Sequence, residues 1–133
     1  MTKSAVLEHV NLTVRDCDAS ARLLQDLFGW HVRWQGPAMN NGRTVHVGIA
    51  DSYIALYSPP TELIPSAPFA KGMPMNHVGI TVDDLDAAEA RVIAAGFEPF
   101  NHGDYAPGRR FYFFDDNGIE FEVVSYAGEP ASP

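Results

Sequence analysis

The feature that most constrains this chain is that it is written twice. Leu7-Glu8-His9-Val10-Asn11-Leu12-Thr13-Val14 is matched by Met75-Asn76-His77-Val78-Gly79-Ile80-Thr81-Val82, with His, Val, Thr and Val at the same offsets. An internal repeat of this kind decides architecture before local propensities are weighed. In each copy the apolar residues alternate with polar ones, Val10, Leu12 and Val14 against His9, Asn11 and Thr13, and Val78, Ile80 and Val82 against His77, Gly79 and Thr81. That is the period of a half-buried strand, with each histidine on its more polar face.

Both strands run into an acidic turn, Asp16-Cys17-Asp18 or Asp83-Asp84-Leu85-Asp86. Helical spacing follows, with stripes of Leu24, Leu27 and Phe28, and of Leu85, Ala88, Val92 and Ala95. Asp86 with Glu89 resembles a capping box, and Gly29 and Gly96 stand where helices commonly stop. Strand-like segments come next: Trp30 to Trp34, Thr44 to Ile49 and Tyr53 to Tyr57 in the first half, then Glu98 to Asn101, Arg110 to Phe114 and Glu120 to Ser125 in the second. Turns at Ala50-Asp51-Ser52 and Asp115-Asp116-Asn117-Gly118 close the last hairpin of each half. The reading is α+β: two tandem βαβββ modules, residues 5–58 and 75–126, forming a curved, partly open mixed sheet or barrel around a metal site. Pro59, Pro60, Pro65, Pro68 and Pro74 mark an extended connector over 59–74 without regular structure, and the tail from Gly128 to Pro133 reads as frayed.

With 133 residues, 46% hydrophobic and 20% charged, the chain has ordinary globular composition and the length of one domain built from two small halves. Nine Lys and Arg against 17 Asp and Glu give a net charge of -8, which disfavours nucleic acid and anionic membrane as partners. A lone cysteine, Cys17, and the lack of an apolar export or spanning segment lead to a cytoplasmic expectation.

The repeat breaks at one chemically telling place. Aligned through their turns, the last strands set Ala55 against Glu122. Two equivalent strand histidines, His9 and His77, with the strand carboxylate Glu122 make the ligand set of a facial triad with open positions, suited to Fe(II), Mn(II), Zn(II) or Ni(II). Burying an ionised Glu122 within Phe121 to Val124 is costly without a cation or hydrogen-bond partners. The plainer reading has two partly buried histidines and an edge carboxylate. Glu120, two residues away on the same face, is the competing ligand, placed nearer solvent by the turn.

These residues, with the ending Phe-Phe-Asp-Asp-Asn-Gly-Ile-Glu-Phe-Glu, resemble the vicinal oxygen chelate superfamily of glyoxalases, bleomycin-binding proteins, fosfomycin-resistance proteins and extradiol dioxygenases. The resemblance runs over about residues 5 to 126. It implies His9, His77 and Glu122 as ligands of one divalent metal, a substrate with two neighbouring oxygens, and a homodimer in which one chain's His9 joins the other's His77 and Glu122. A fourth ligand carboxylate, found in glyoxalase I, falls at Ala55 and is absent, which weakens an isomerase that needs a base at that place. The order His102, Phe111, Tyr112, Asp115, Gly118, Glu122 resembles the extradiol pattern, although the gap after His102 is about a residue too long and Asp116 replaces a proline. In that reading Tyr112 hydrogen-bonds a substrate oxygen and His102 moves a proton; the plainer one makes Tyr112 a barrel aromatic and His102 a loop histidine.

Several residues stay open between site and scaffold. His46 points either into the cavity or to solvent, and Asn11 is placed to orient a bound oxygen or a ligand's second ring nitrogen. Trp34, Tyr53, Tyr57, Phe100 and Phe114 are candidate pocket walls. Arg109-Arg110 is the one adjacent basic pair, fewer cations than a phosphonate-binding resistance enzyme calls for. Two functions of different class follow: a metal-dependent enzyme, dioxygenase-like or a lyase or isomerase, acting on a small molecule; or a metal-free, drug-sequestering binding protein whose aromatic residues form the pocket.

Overall fold

The first repeat builds β1 (His9–Thr13), α1 (Cys17–Phe28), β2 (His31–Pro37), β3 (Arg43–Gly48) and β4 (Tyr53–Ser58). The second builds β5 (Val78–Thr81), α2 (Leu85–Ala94), β6 (Phe100–Tyr105), β7 (Gly108–Phe114) and β8 (Glu120–Ser125). The computed structural model describes residues 7–64, 75–105 and 108–126. The chain divides into two units, Met1–Pro65 and Ser66–Pro133.

Within each unit four strands form one mixed sheet, ordered β1-β4-β3-β2 in the first and β5-β8-β7-β6 in the second. The first strand lies parallel to the last, and the other pairs are antiparallel. The α-helix after the first strand supplies the crossover that a parallel neighbour needs. The βαβββ reading therefore holds in both halves.

Strand alternation decides which face carries the core. In the first unit Val45, Val47, Ile54 and Leu56 are buried on the face where α1 packs on β3 and β4. In the second, Phe111, Phe113, Phe121 and Val123 take the equivalent positions beneath α2. The helices meet them with Cys17, Ala21, Leu24 and Leu27, and with Leu85, Ala88 and Val92. Burying a side chain such as Leu56 contributes roughly 1.5–3 kcal/mol. Ala95 leaves the expected stripe: it is the exposed C-cap of α2, just beyond the last helical turn.

Capping differs from the sequence expectation in one helix. The N-cap of α2 is Asp84, whose carboxylate accepts from the Ala87 amide at 3.0 Å, as Asp16 accepts from Ala19 at 3.1 Å in α1. The Asp86–Glu89 box does not form, because the chain enters the helix two residues earlier and both carboxylates turn outward to Arg109 and His102. Gly29 and Gly96 carry the positive φ values, 72° and 96°, that end each helix and that other residues adopt at a cost.

The hairpin turns form where expected. Ile49 N donates to Ser52 O, and Asp115 accepts from the Asn117 and Ile119 amides at 2.9 Å each. Burial pushes the Asp115 carboxyl above its ordinary value, against these hydrogen bonds. The connector is not wholly irregular: Thr61–Leu63 makes a 3-10 turn after Pro60, since the missing proline amides precede the donors the turn uses. Pro65, Pro68, Pro74 and the tail from Gly128 lie outside the described residues.

A candidate metal and substrate site

The face of the second sheet opposite α2 carries Glu122 at the centre of β8. Its register partners are Tyr112 on β7 and Gly79 on β5, with His77 just before β5. His77 Nε2 lies 2.9 Å from Glu122 Oε1, and Arg110 Nη1 donates to Glu122 Oε2 at 3.1 Å. Tyr112 meets the His77 ring edge-on at 5.7 Å. So His77, Glu122 and Tyr112, chosen from sequence, are brought together.

Both ring nitrogens of His77 are engaged: Nδ1 is 2.8 Å from Asn76 Oδ1 and Nε2 is 2.9 Å from Glu122 Oε1, so the imidazole is held with Nε2 toward the carboxylate. Either a proton or a metal ion between Nε2 and the carboxylate oxygen satisfies that contact. The first unit repeats the device more firmly: His9 Nδ1 is 2.8 Å from Glu8 Oε1, an oxygen that can only accept. Nε2 is the His9 ring nitrogen that Glu8 does not engage. A second ring nitrogen held by a carboxylate or amide is the support that fixes ligand histidines in metal sites. That orienting role falls to Glu8 and Asn76, the residues before each histidine, and not to Asn11. The sequence signal was their equal place in the repeat. Hydrogen bonding to His9 holds the Glu8 carboxyl below its ordinary value.

The donors present, two imidazoles and a carboxylate, fit a divalent ion in kind. Among the described residues no three His, Cys, Asp or Glu gather into one cluster; of the three expected ligands, His77 and Glu122 meet. Glu120 is not the more solvent-facing carboxylate: it is 7% exposed, in β8 opposite Phe114 rather than out in the turn.

His102 departs from its expected role. Its Nε2 meets Glu89 of α2 at 2.7 Å and its ring lies beside Phe111, a residue of the helix-covered face. The cause is an irregularity in β6: pairing shifts between Phe100 and Gly103, and Asn101 takes a φ of 55°. The extra residue of this bulge turns His102 to the opposite side from Tyr112.

Arg110, missed as a site residue, is well placed. Its side chain is 12% exposed, stacks its guanidinium 4.6 Å from the Tyr105 ring, and has a buried Nε without a hydrogen-bond partner among the described residues. Arg109 instead pairs with Asp86 at 3.0 Å, just as Arg43 pairs with Asp18 through two hydrogen bonds. Burial, followed by the Glu122 charge, raises the Tyr112 hydroxyl above its ordinary value, so it stays a hydrogen-bond donor near neutrality.

On the first unit's corresponding face the residues are different. His46 faces Ala55 across β3 and β4. Its ring stacks on Tyr53 at 4.8 Å and leans against Trp34 at 5.4 Å. His9 stacks on Tyr53 at 4.8 Å as well, and Arg33 lies 4.2 Å from that ring. Tyr57 donates its hydroxyl to Met39 O, whereas Phe100 stacks on Phe114 at 5.3 Å beside Tyr112 in the second unit. Thus the aromatic residues form one wall in each unit. No described helix is long and apolar enough to cross a membrane.

Comparison with known proteins bears on the fold. No curated protein matches the chain. A glyoxylase/bleomycin resistance protein/dioxygenase domain from Frankia sp. EAN1pec is similar at 23% identity and a TM-score of 0.79, over 92% of this chain and 93% of that one. The fosfomycin resistance protein FosX from Listeria monocytogenes, complexed with Mn(II) and sulfate, is similar at 20% identity, a TM-score of 0.70 and coverages of 92% and 93%. FosX from Mesorhizobium loti gives 23%, 0.68, and 92% of each chain. The family model "Glyoxalase/Bleomycin resistance protein/Dioxygenase superfamily" matches residues 6–123. With two βαβββ modules and a family match over almost its whole length, the chain belongs to the glyoxalase/bleomycin resistance protein/dioxygenase superfamily.

Proposed function

We propose that the protein is a divalent-metal-dependent enzyme that acts on a small molecule bearing two adjacent oxygens, with His9, His77 and Glu122 as the metal ligands. The observation that carries this reading is the His77 Nε2 to Glu122 Oε1 contact at 2.9 Å, with Nδ1 already held by Asn76. His9 is assigned by the repeat and by Glu8, which presents its Nε2 in the same way. Two copies of the chain form the working unit, one supplying His9 and the other His77 and Glu122. FosX from Listeria, a relative in fold, binds Mn(II).

The bound ion would supply a fixed positive field that favours a deprotonated hydroxyl or a developing enediolate. The chain's own groups do the rest. Tyr112 donates a hydrogen bond to a substrate oxygen from a position beside His77. Arg110 holds Glu122 Oε2 and so fixes which oxygen faces the imidazole. Phe100, stacked on Phe114, gives Tyr112 an apolar flank. Extradiol-type ring cleavage is the finer form of this reading, carried by Tyr112 without help from His102.

One observation favours a metal-free binding protein instead: both Glu122 oxygens already have cationic or hydrogen-bonding neighbours, Arg110 and His77. Calorimetric titration of chelator-stripped protein with Mn(II) separates the two. The enzyme reading expects one ion bound per chain and a loss of binding of about 100-fold or more in His77→Ala; heat signals equal in parent and variant would establish the binding protein. Oxygen uptake by Fe(II)-loaded protein with a panel of catechols then tests ring cleavage.

A further inference from the structure

We propose that Arg110 couples metal binding to an acidic substrate: it holds the ligand carboxylate Glu122 until a carboxylate of the substrate draws it away. The inference rests on the metal-dependent reading above and narrows its substrates to small acids, which carry a carboxylate besides the two adjacent oxygens.

Alternation along β7 separates two neighbouring arginines. Arg109 turns to α2 and pairs with Asp86 at 3.0 Å, whereas Arg110 stands two residues before Tyr112, on the face that carries Glu122. There its Nη1 donates to Glu122 Oε2 at 3.1 Å and its Nη2 to the Gly108 carbonyl at 3.3 Å, while Nε is buried and has no hydrogen-bond partner among the described residues. A guanidinium offers five N–H donors in a planar fork that matches a carboxylate, so this one is under-used.

Glycines leave room around the pair on both sides. Tyr105 lies over the guanidinium at 4.6 Å yet is 61% exposed, a cover with solvent on its far side. Gly103, the register partner of Arg110, permits this, since a Cβ there would stand 2.7 Å from the Tyr105 ring. Gly79, across β8 from Glu122, has open space where its Cβ would be, in the place that Asn11 takes in the first module.

The contact that fixes Glu122 Oε2 also puts a positive charge beside a carboxylate that is to hold a divalent ion, and the two cations repel. An anion on Arg110 cancels that repulsion. The acid therefore tightens the ion and, by linkage, the ion tightens the acid by the same factor. A neutral molecule of the same shape leaves the guanidinium on Glu122. With a net charge of -8 the chain repels anions at a distance, so the choice is made by this local contact and not by general attraction.

The test titrates the full, chelator-stripped chain with Mn(II) in buffer alone, in saturating benzoate, and in benzamide, which has the same shape without the charge. Benzoate should tighten Mn(II) binding by about 5-fold or more, and benzamide should leave it unchanged. Arg110→Gln, which keeps a donor for Oε2, should bind Mn(II) more tightly than the parent in buffer alone and lose the response to benzoate; Arg110→Lys, which keeps the charge, should retain part of it. An equal benzoate effect in Arg110→Gln means that the anion sits on the ion itself, which overturns the role of Arg110 and leaves the metal reading standing. No benzoate effect in a parent whose Mn(II) binding still depends on His77 likewise overturns this inference alone. Mn(II) binding equal in parent and His77→Ala overturns the metal reading and the inference with it.

Discussion

The two modules share a frame and differ in what they put on it. Asp16 and Asp84 cap the helices, Ser58 and Ser125 tie the last strands to the chain entering them, and Arg43–Asp18 has its echo in Arg109–Asp86. Beneath the helices the first module packs Val45, Val47 and Ile54 where the second packs Phe111, Phe113 and Phe121. On the opposite face Tyr53, Ala55 and His46 stand where the second has Glu120, Glu122 and Tyr112. Repetition supplies a scaffold cheaply; chemistry comes from the positions at which the copies part. The carboxylate Glu122 lies in one module, and Ala55 holds its place in the other.

The largest expected effect probes the cores. Phe113 is fully buried and stacks on Phe121 at 5.3 Å, so Phe113→Ala should cost about 3–5 kcal/mol in denaturant unfolding. Val47→Ala, at the matching place in the first module, removes fewer atoms and should cost less. Equal losses would mean that the aromatic core is no more demanding than the aliphatic one.

Next come the orienting residues. Asn76→Ala and Glu8→Ala should each weaken Mn(II) binding by about 10–100-fold in calorimetric titration. Glu8→Ala should have the larger effect, since a carboxylate raises the basicity of its imidazole more than an amide does. No change in either would break the equivalence drawn between the two histidines. Smaller still are the caps: Asp16→Ala and Asp84→Ala should each cost about 1 kcal/mol. A marked difference would show that the helices are not equally dependent on them.

The smallest effect concerns Asp115, whose carboxylate accepts from the amides of the second module's hairpin turn. Burial raises the Asp115 carboxyl above its unfolded value, so the folded chain binds its proton more tightly. The contribution of this group to stability is present at low pH and is lost as pH rises through the raised folded value. Asp115→Asn keeps an oxygen for the Asn117 and Ile119 amides and removes the titration. The parent should therefore lose stability relative to the variant as pH rises from the ordinary aspartate range toward neutrality, read from denaturant midpoints. A difference independent of pH would contradict this.

The βαβββ pattern was legible in sequence because each element buries one face at its own period, and the repeat supplied a second reading of every strand. His77, Glu122 and Tyr112 were legible for the same reason: register along a strand fixes the side on which a residue stands. His102 was misplaced because a bulge between Phe100 and Gly103 changes that side by one residue, and alternation alone does not reveal a bulge. Arg110 and the pairs Glu8–His9 and Asn76–His77 depend on side-chain reach, which alternation does not encode. The α2 cap was misjudged because Asp83, Asp84 and Asp86 are all capable of the role; Asp84 is the one set just before the first helical residue.

The central claim is that one cation joins donors from both modules. Protein labelled with 15N in its imidazoles and titrated with Zn(II) reports this directly. The account predicts that the Nε2 signals of His9 and His77 shift together, saturate at one ion per chain, and both revert in Glu122→Gln. A shift confined to one histidine, or one that survives in Glu122→Gln, would contradict it.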